Sequence, residues 1–188
     1  VDYFVQLAKN MADLGADSIC IKDMAGVLMP QVGYELVSRI KEAVDVPLEV
    51  HTHATSGIAE MTYLKCAEAG VDIIDTAISS FAGGTSQPAT ESMALSLSNL
   101  GFETGLNMNH LSKIAEHFNP IRDRFRSENL LNPKVKDTEP KTLIYQVPGG
   151  MLSNLLSTTS TRRFGVSTTG HSTFANGWYS ITDECNLW

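Results

Sequence analysis

The stretch Leu14-Gly-Ala-Asp-Ser-Ile-Cys-Ile-Lys-Asp-Met-Ala-Gly26 decides the fold. Before it, Tyr3 to Leu14 carries Phe4, Leu7, Ala8 and Met11 at helical spacing, which predicts an amphipathic helix that Gly15 closes. Asp17 to Lys22 is a short β-rich run and reads as a buried strand, and polar residues follow at once. The same unit then recurs. Pro30 to Val44 reads as a helix with Pro30 in its first turn and Tyr34, Leu36, Val37, Ile40 and Val44 at helical spacing. Pro47 to His51 reads as a strand, Gly57 to Ala69 as a helix closed by Gly70, Val71 to Asp75 as a strand, and Ala89 to Leu100 as a helix.

A strand every 25 to 30 residues or so, with a helix between, suits parallel βα units. Such units build a doubly wound sheet or a (β/α)8 barrel. Lys22-Asp23, His51 with His53, and Asp75 all follow strand ends, the end that carries chemistry in barrels. The units are too few to close an eight-stranded barrel, and the sequence opens directly in a helix. The expected fold class is therefore α/β, the second half of a (β/α)8 TIM barrel, occupying residues 1–105. Beyond Gly105 the rhythm changes. Asn109 to Phe125 reads as a long helix, Asn132 to Glu139 as a polar loop, and Gly149-Gly150 introduces a short apolar stretch, so residues 106–157 are expected to form a helical extension. Residues 158–188 are rich in Ser, Thr and Gly without periodicity, and are expected to be an atypical tail, disordered or read from a shifted frame.

Composition narrows the functional classes. A 43% hydrophobic content in 188 residues supports one core. The net charge of −7 argues against a nucleic-acid or anionic-membrane surface. No apolar run spans a bilayer, so no direct membrane insertion is expected and the expected location is cytoplasmic. Cys20, Cys66 and Cys185 are odd in number and far apart, which predicts neither a disulfide framework nor a cysteine zinc site.

His51-Thr-His53 is the sharpest chemical signal. Residues i and i+2 of a strand share a face, so both imidazoles reach one divalent ion, and zinc, manganese and cobalt all accept imidazole. The alternative is a hydrogen-bonded histidine pair at a strand end. Lys22 would share that rim, although a lysine at a strand end is more often simply solvated. An ammonium beside a cation is disfavoured, and a neutral amine adds CO2 to become an anionic oxygen ligand. Asp23 is a candidate ligand, or a partner that orients a histidine. Asp75 is a candidate acceptor for a ligand or substrate group, with a helix or loop cap as the alternative. Gly83-Gly84-Thr85-Ser86 lacks phosphate-loop spacing and is a weak candidate for approach to a phosphate or carboxylate.

Taken together, Ile19-Cys-Ile-Lys-Asp-Met-Ala-Gly26, His51-Thr-His-Ala-Thr-Ser-Gly57, Asp75-Thr-Ala-Ile-Ser79, Gly84-Thr-Ser-Gln-Pro88 and Gln146-Val-Pro-Gly-Gly-Met-Leu-Ser-Asn-Leu155 resemble the carboxyltransferase domain shared by pyruvate carboxylase and the oxaloacetate decarboxylase α subunit. The resemblance covers about Val1 to Ser157. It implies a barrel with a funnel-forming helical extension, and biotin-dependent carboxyl transfer between oxaloacetate or pyruvate and carboxybiotin, metal-assisted through enolpyruvate. By resemblance Lys22 is the carbamylated metal ligand, His51 and His53 are further ligands, and Ser153, behind Gly149 and Gly150, shuttles a proton to and from biotin. The implied cofactors are a divalent metal (zinc, manganese or cobalt) and biotin brought by a carrier domain. The implied partners are that biotin carboxyl carrier domain, a 2-oxo acid and a second copy in a homodimer.

Two departures stand out. The family's aspartate ligand and its substrate-holding arginine and glutamine have no counterpart after Val1, and residues 158–188 do not resemble the family's continuation. This chain alone is thus expected to be inactive. The competing readings are an acyl-CoA lyase or aldolase-type metal-dependent barrel, which lacks the Lys-Asp-Met-Ala-Gly strand end, and a non-catalytic truncated fragment.

Overall fold

The fold comes from a computed structural model, which describes residues 1–145. Gly149, Gly150, Ser153, Cys185 and the tail 158–188 lie outside the described residues. Within them the order is α1 (Asp2–Asp13), β1 (Ile19–Asp23), α2 (Pro30–Ala43), β2 (Leu48–Thr52), α3 (Ala59–Glu68), β3 (Ile73–Ile74), α4 (Thr90–Asn99), α5 (Met108–Ser127), a 3-10 turn (Pro133–Lys136) and α6 (Thr142–Tyr145). Helix and strand alternate as expected, with ends displaced by a residue or two.

The strands form one parallel sheet in the order β1-β2-β3. β2 shows why it takes its place. Leu48, Val50 and Thr52 are buried while Glu49 and His51 are only partly so, the alternation of a strand with one face in the core. Leu48 and Val50 meet Leu36, Val37, Ile40, Tyr63 and Cys66 from α2 and α3, and a fully buried Leu or Val contributes about 1.5–3 kcal/mol. Gly33 lets α2 and α3 approach closely, since a Cβ there would stand 3.1 Å from Cys66 Sγ.

Two expectations need correction. In α1 the core stripe is Phe4, Val5, Ala8 and Ala12, while Leu7 and Met11 are exposed. The i, i+4 row Phe4, Ala8 and Ala12 turns to the core, and Leu7 and Met11 lie outside it. The third strand is two residues long rather than five. It pairs with β2 through Glu49↔Ile73 and Val50↔Ile74 only.

The helical layer packs on one face of the sheet. The opposite face carries Cys20 and Lys22 of β1, Glu49 and His51 of β2, and Ile73 of β3 in register. Ile73 is 44% exposed there. Among the described residues no helix is long and apolar enough to cross a membrane.

Candidate metal centre

β1 and β2 are in register, with Lys22 opposite His51 and Asp23 opposite Thr52. Neighbouring parallel strands lie about 4.8 Å apart and paired residues point the same way, so Lys22 and His51 rise from one end of the sheet on one face. Asp75 follows β3 at the same end, its amide donating to the Val50 carbonyl at 3.1 Å. His53 sits just beyond β2, where its amide donates to the Asp23 carbonyl at 3.2 Å. The strand therefore ends one residue short of the extended geometry expected for the pair, yet the rings still converge. His51 Nε2 and His53 Nε2 are 3.2 Å apart.

What surrounds the two rings orients them. His51 Nδ1 lies 2.8 Å from Asp75 Oδ2, and His53 Nδ1 lies 2.6 Å from the Thr85 carbonyl oxygen. A carboxylate and a carbonyl both accept, so each Nδ1 donates, and in a neutral ring Nε2 then presents its lone pair. Two ring nitrogens 3.2 Å apart call for an electrophile between them, either a proton, as in a hydrogen-bonded histidine pair, or a metal ion. Zinc–imidazole bonds are about 2.0–2.1 Å, and two such bonds at a tetrahedral or octahedral angle put the nitrogens about this far apart. Acidic or carbonyl partners on the far ring nitrogens are the usual supports of metal-binding histidines. The donor set thus fits a divalent ion. Burial holds the His53 imidazole below its ordinary basicity, against the opposing pull of the Thr85 carbonyl, and so favours the neutral ring that can ligate.

Lys22 is exposed and makes no hydrogen bond or ion pair with a described residue, while its charge reaches His53 and Cys20. Cys20 lies on the same face one step deeper. Burial and the Glu49 carboxylate push its thiol up to about 11, so it stays protonated. Among the described residues no three His, Cys, Asp or Glu side chains converge on one point. A third donor at the histidine pair must therefore come from Lys22 or from outside this set.

Asp23 does something else. Its Oδ1 accepts from the Gly26 amide at 2.9 Å, and its Oδ2 accepts from the Leu28 amide at 2.8 Å and the Thr52 hydroxyl at 2.7 Å. These bonds shape the loop after β1 and leave none to a histidine ring. Asp75 is no cap, because its carboxylate faces His51. The glycine-rich loop also differs from its reading. Gly84 has φ +56, and a Cβ there would collide with the backbone of Val135 and Lys136, so the close approach is to the chain itself.

Three contributors were not singled out from sequence. The Thr85 carbonyl could not be, since every residue has one. Tyr63 reads as an ordinary core position of α3, yet its hydroxyl accepts from the Thr52 amide at 3.0 Å and donates to the Asp75 carbonyl, joining the ends of β2 and β3. Gln87 places its Nε2 3.3 Å from His51 Nε2, and a polar residue two positions after Thr85 was the available signal.

Residues 1–117 match the HMGL-like family. The chain belongs to the HMGL-like family. Within that family it is 51% identical over 157 residues to a pyruvate carboxylase subunit of Methanocaldococcus jannaschii, covering 84% of this chain and 27% of that protein. It is 42% identical over 165 residues to the methylmalonyl-CoA carboxyltransferase 5S subunit of Propionibacterium freudenreichii, covering 84% and 31%. The carboxyl transferase domain of Rhizobium etli pyruvate carboxylase, solved with pyruvate, superposes with a TM-score of 0.79 at 32% identity, over 85% of this chain and 27% of that one. This HMGL-like chain thus spans between a quarter and a third of the length of these relatives.

Proposed function

We propose that the complete protein containing this segment is a biotin-dependent carboxyltransferase that moves a carboxyl group between oxaloacetate or pyruvate and biotin. On this reading residues 1–105 are the second half of a (β/α)8 barrel, residues 106–157 begin its funnel extension, and the uncovered sheet face is the barrel interior. The observation that carries the proposal is the Nε2–Nε2 approach of His51 and His53 with both Nδ1 atoms tied to acceptors.

A divalent ion, zinc, manganese or cobalt, supplies Lewis acidity toward the 2-oxo group when bound. His51 and His53 hold it through Nε2. Asp75 and Thr85 keep both rings in the ligating tautomer. Lys22, as a carbamate, adds an anionic oxygen from the neighbouring strand. Tyr63 and Asp23 fix the strand ends that carry these groups. Ser153 is assigned the proton: as the carboxyl group passes from oxaloacetate to biotin N1, the N1 proton passes through the serine hydroxyl to the methylene carbon that becomes the pyruvate methyl. In the other direction both transfers reverse. Gly149 and Gly150 are assigned to the surroundings of the site or to the substrate, and biotin arrives on a carrier domain. The relatives named above are carboxylases and a carboxyltransferase, which favours this reading over a lyase-type barrel.

The test is oxaloacetate decarboxylation by the complete protein with and without biotin. Biotin-dependent release of pyruvate that Ser153→Ala abolishes, with bound metal unchanged, is expected. Release that ignores biotin would contradict the proposal.

A further inference from the structure

Lys136 touches one loop at two points. Its Nζ donates to the Ser80 carbonyl at 3.0 Å. Its backbone lies so close to Gly84 that a Cβ on that glycine would collide with it. Near the first point the loop also packs on α5. The buried Ser80 hydroxyl lies 3.0 Å from the Ala115 carbonyl oxygen and 2.9 Å from Asn119 Oδ1, and the Phe81 ring meets those of Phe118 and Phe125. Beyond the second point the Thr85 amide donates to the Val135 carbonyl at 2.8 Å, and the Thr85 carbonyl accepts from His53 Nδ1 at 2.6 Å. This loop therefore joins α5 and the 3-10 turn to one ring of the histidine pair.

Charge makes Lys136 a poor tether for stability alone. It is partly buried, and among the described residues no carboxylate pairs with it. Burial, then the nearby guanidinium groups of Arg126 and Arg122, hold its ammonium group below its ordinary basicity. Asp123 does not relieve this, because it is shared by Arg122 at 2.8 Å and Arg126 at 3.9 Å. A neutral side chain of the same length would avoid both costs. It would lack a donor for the Ser80 carbonyl, which has no other partner among the described residues.

We propose that Lys136 is a positioning residue for the metal centre, holding the Ser80 carbonyl and thereby setting where the Thr85 carbonyl on the same loop meets His53. Without the ammonium group, the Ser80 carbonyl must turn to water to regain a donor. The loop shifts with it, and His53 Nε2 is no longer held toward His51 Nε2. The inference rests on the metal centre proposed above and adds control of that centre by residues that lie outside the sheet.

The experiment uses the complete protein stripped of metal. It is titrated with Co2+ and followed by visible absorption, and the metal-free forms are melted in parallel. The wild-type protein should take up Co2+. Lys136→Met keeps the stem and removes the charge. It loses one hydrogen bond, but also the repulsion and burial of an ammonium group, so its metal-free melting temperature should stay within about 4 °C of wild type. Its Co2+ affinity should fall about three-fold or more, short of the loss of about 10–100-fold typical when a ligating histidine loses its direct partner. The visible band of its bound Co2+ should change, because His53 has moved. Lys136→Arg, which keeps a long stem ending in N–H donors, should restore most of the affinity. A purely structural lysine would lower melting temperature and Co2+ affinity together and leave the band of the bound ion unaltered. That result would overturn the proposal, as would an unchanged Co2+ affinity in Lys136→Met. Failure of the wild-type protein to take up Co2+ would instead overturn the metal centre itself, and this inference with it.

Discussion

The Tyr63 hydroxyl stands, inside the core, 3.0 Å from the amide nitrogen of Thr52, the residue between the two histidines in sequence. An aromatic residue of α3 thereby accepts from the backbone N–H that separates His51 from His53, and its own hydroxyl donates a hydrogen bond to the Asp75 carbonyl just after β3. The phenol is fully buried, and burial pushes its ionisation well above the ordinary tyrosine range, so it remains a donor throughout the working pH range.

Tyr63→Phe is accordingly expected to destabilise the chain by about 1–3 kcal/mol, the cost of leaving a buried donor and a buried carbonyl without this partner. Denaturant unfolding of the two chains measures it. A difference near zero would mean that the strand ends are held by other means.

Asp75 carries a separate expectation. Its Oδ2 accepts from His51 Nδ1 at 2.8 Å, and removal of such an outer partner typically costs about 10–100-fold in metal affinity. Asp75→Ala should show a loss in that range in a chelator-competition titration, while Asp75→Asn, which retains an accepting oxygen, should lose less.

Gly26 and Gly70 form a matched pair of tests. Both have positive φ, +70 and +89, which costs a substituted L residue about 1–2 kcal/mol. A Cβ on Gly70 meets nothing within 4 Å, whereas one on Gly26 would run into the His53 carbonyl. Gly70→Ala should therefore lower stability modestly and leave metal affinity alone. Gly26→Ala should lose more stability and displace His53, with metal binding lost in parallel. Thermal melts and metal titrations of both variants decide.

Acid sensitivity should be visible at Asp72. A hydrogen bond from Lys41 Nζ at 2.7 Å holds its carboxyl below the ordinary value of 3.8, against the opposing effect of burial and with help from the Leu48 amide at 2.8 Å. A folded-state value below the unfolded one contributes stability that is present above about pH 4 and is lost as pH falls through the folded value. The pair is partly exposed, so solvent screening limits the contribution to about 1 kcal/mol. Asp72→Asn should cost about that much at pH 7, and the gap between the two chains should close by about pH 2.

Much of this was legible in the sequence because it depends on periodicity. The βα rhythm and the strand ends near Lys22 and His51 follow from side-chain spacing alone. The rest depends on residues far apart in the chain. Asp23 looked like a ligand because it sits beside Lys22, yet its carboxylate folds back onto the amides of Gly26 and Leu28. That turn is set by the φ of Gly26, which no periodicity encodes. Thr85 and Gln87 reach the histidines across more than 30 residues of chain, through a loop anchored where the Thr85 amide donates to the Val135 carbonyl at 2.8 Å. Such closures are decided by tertiary packing. The proton shuttle assigned to Ser153 rests on resemblance, since that residue lies outside the described ones.

The central claim is tested most directly by the metal content of the purified chain beside three variants, His51→Ala, His53→Ala and Lys22→Ala. The account predicts stoichiometric zinc, manganese or cobalt in the wild-type chain, loss of that metal in both histidine variants, and a loss in Lys22→Ala that added bicarbonate does not restore. Equal metal in all four chains would contradict it.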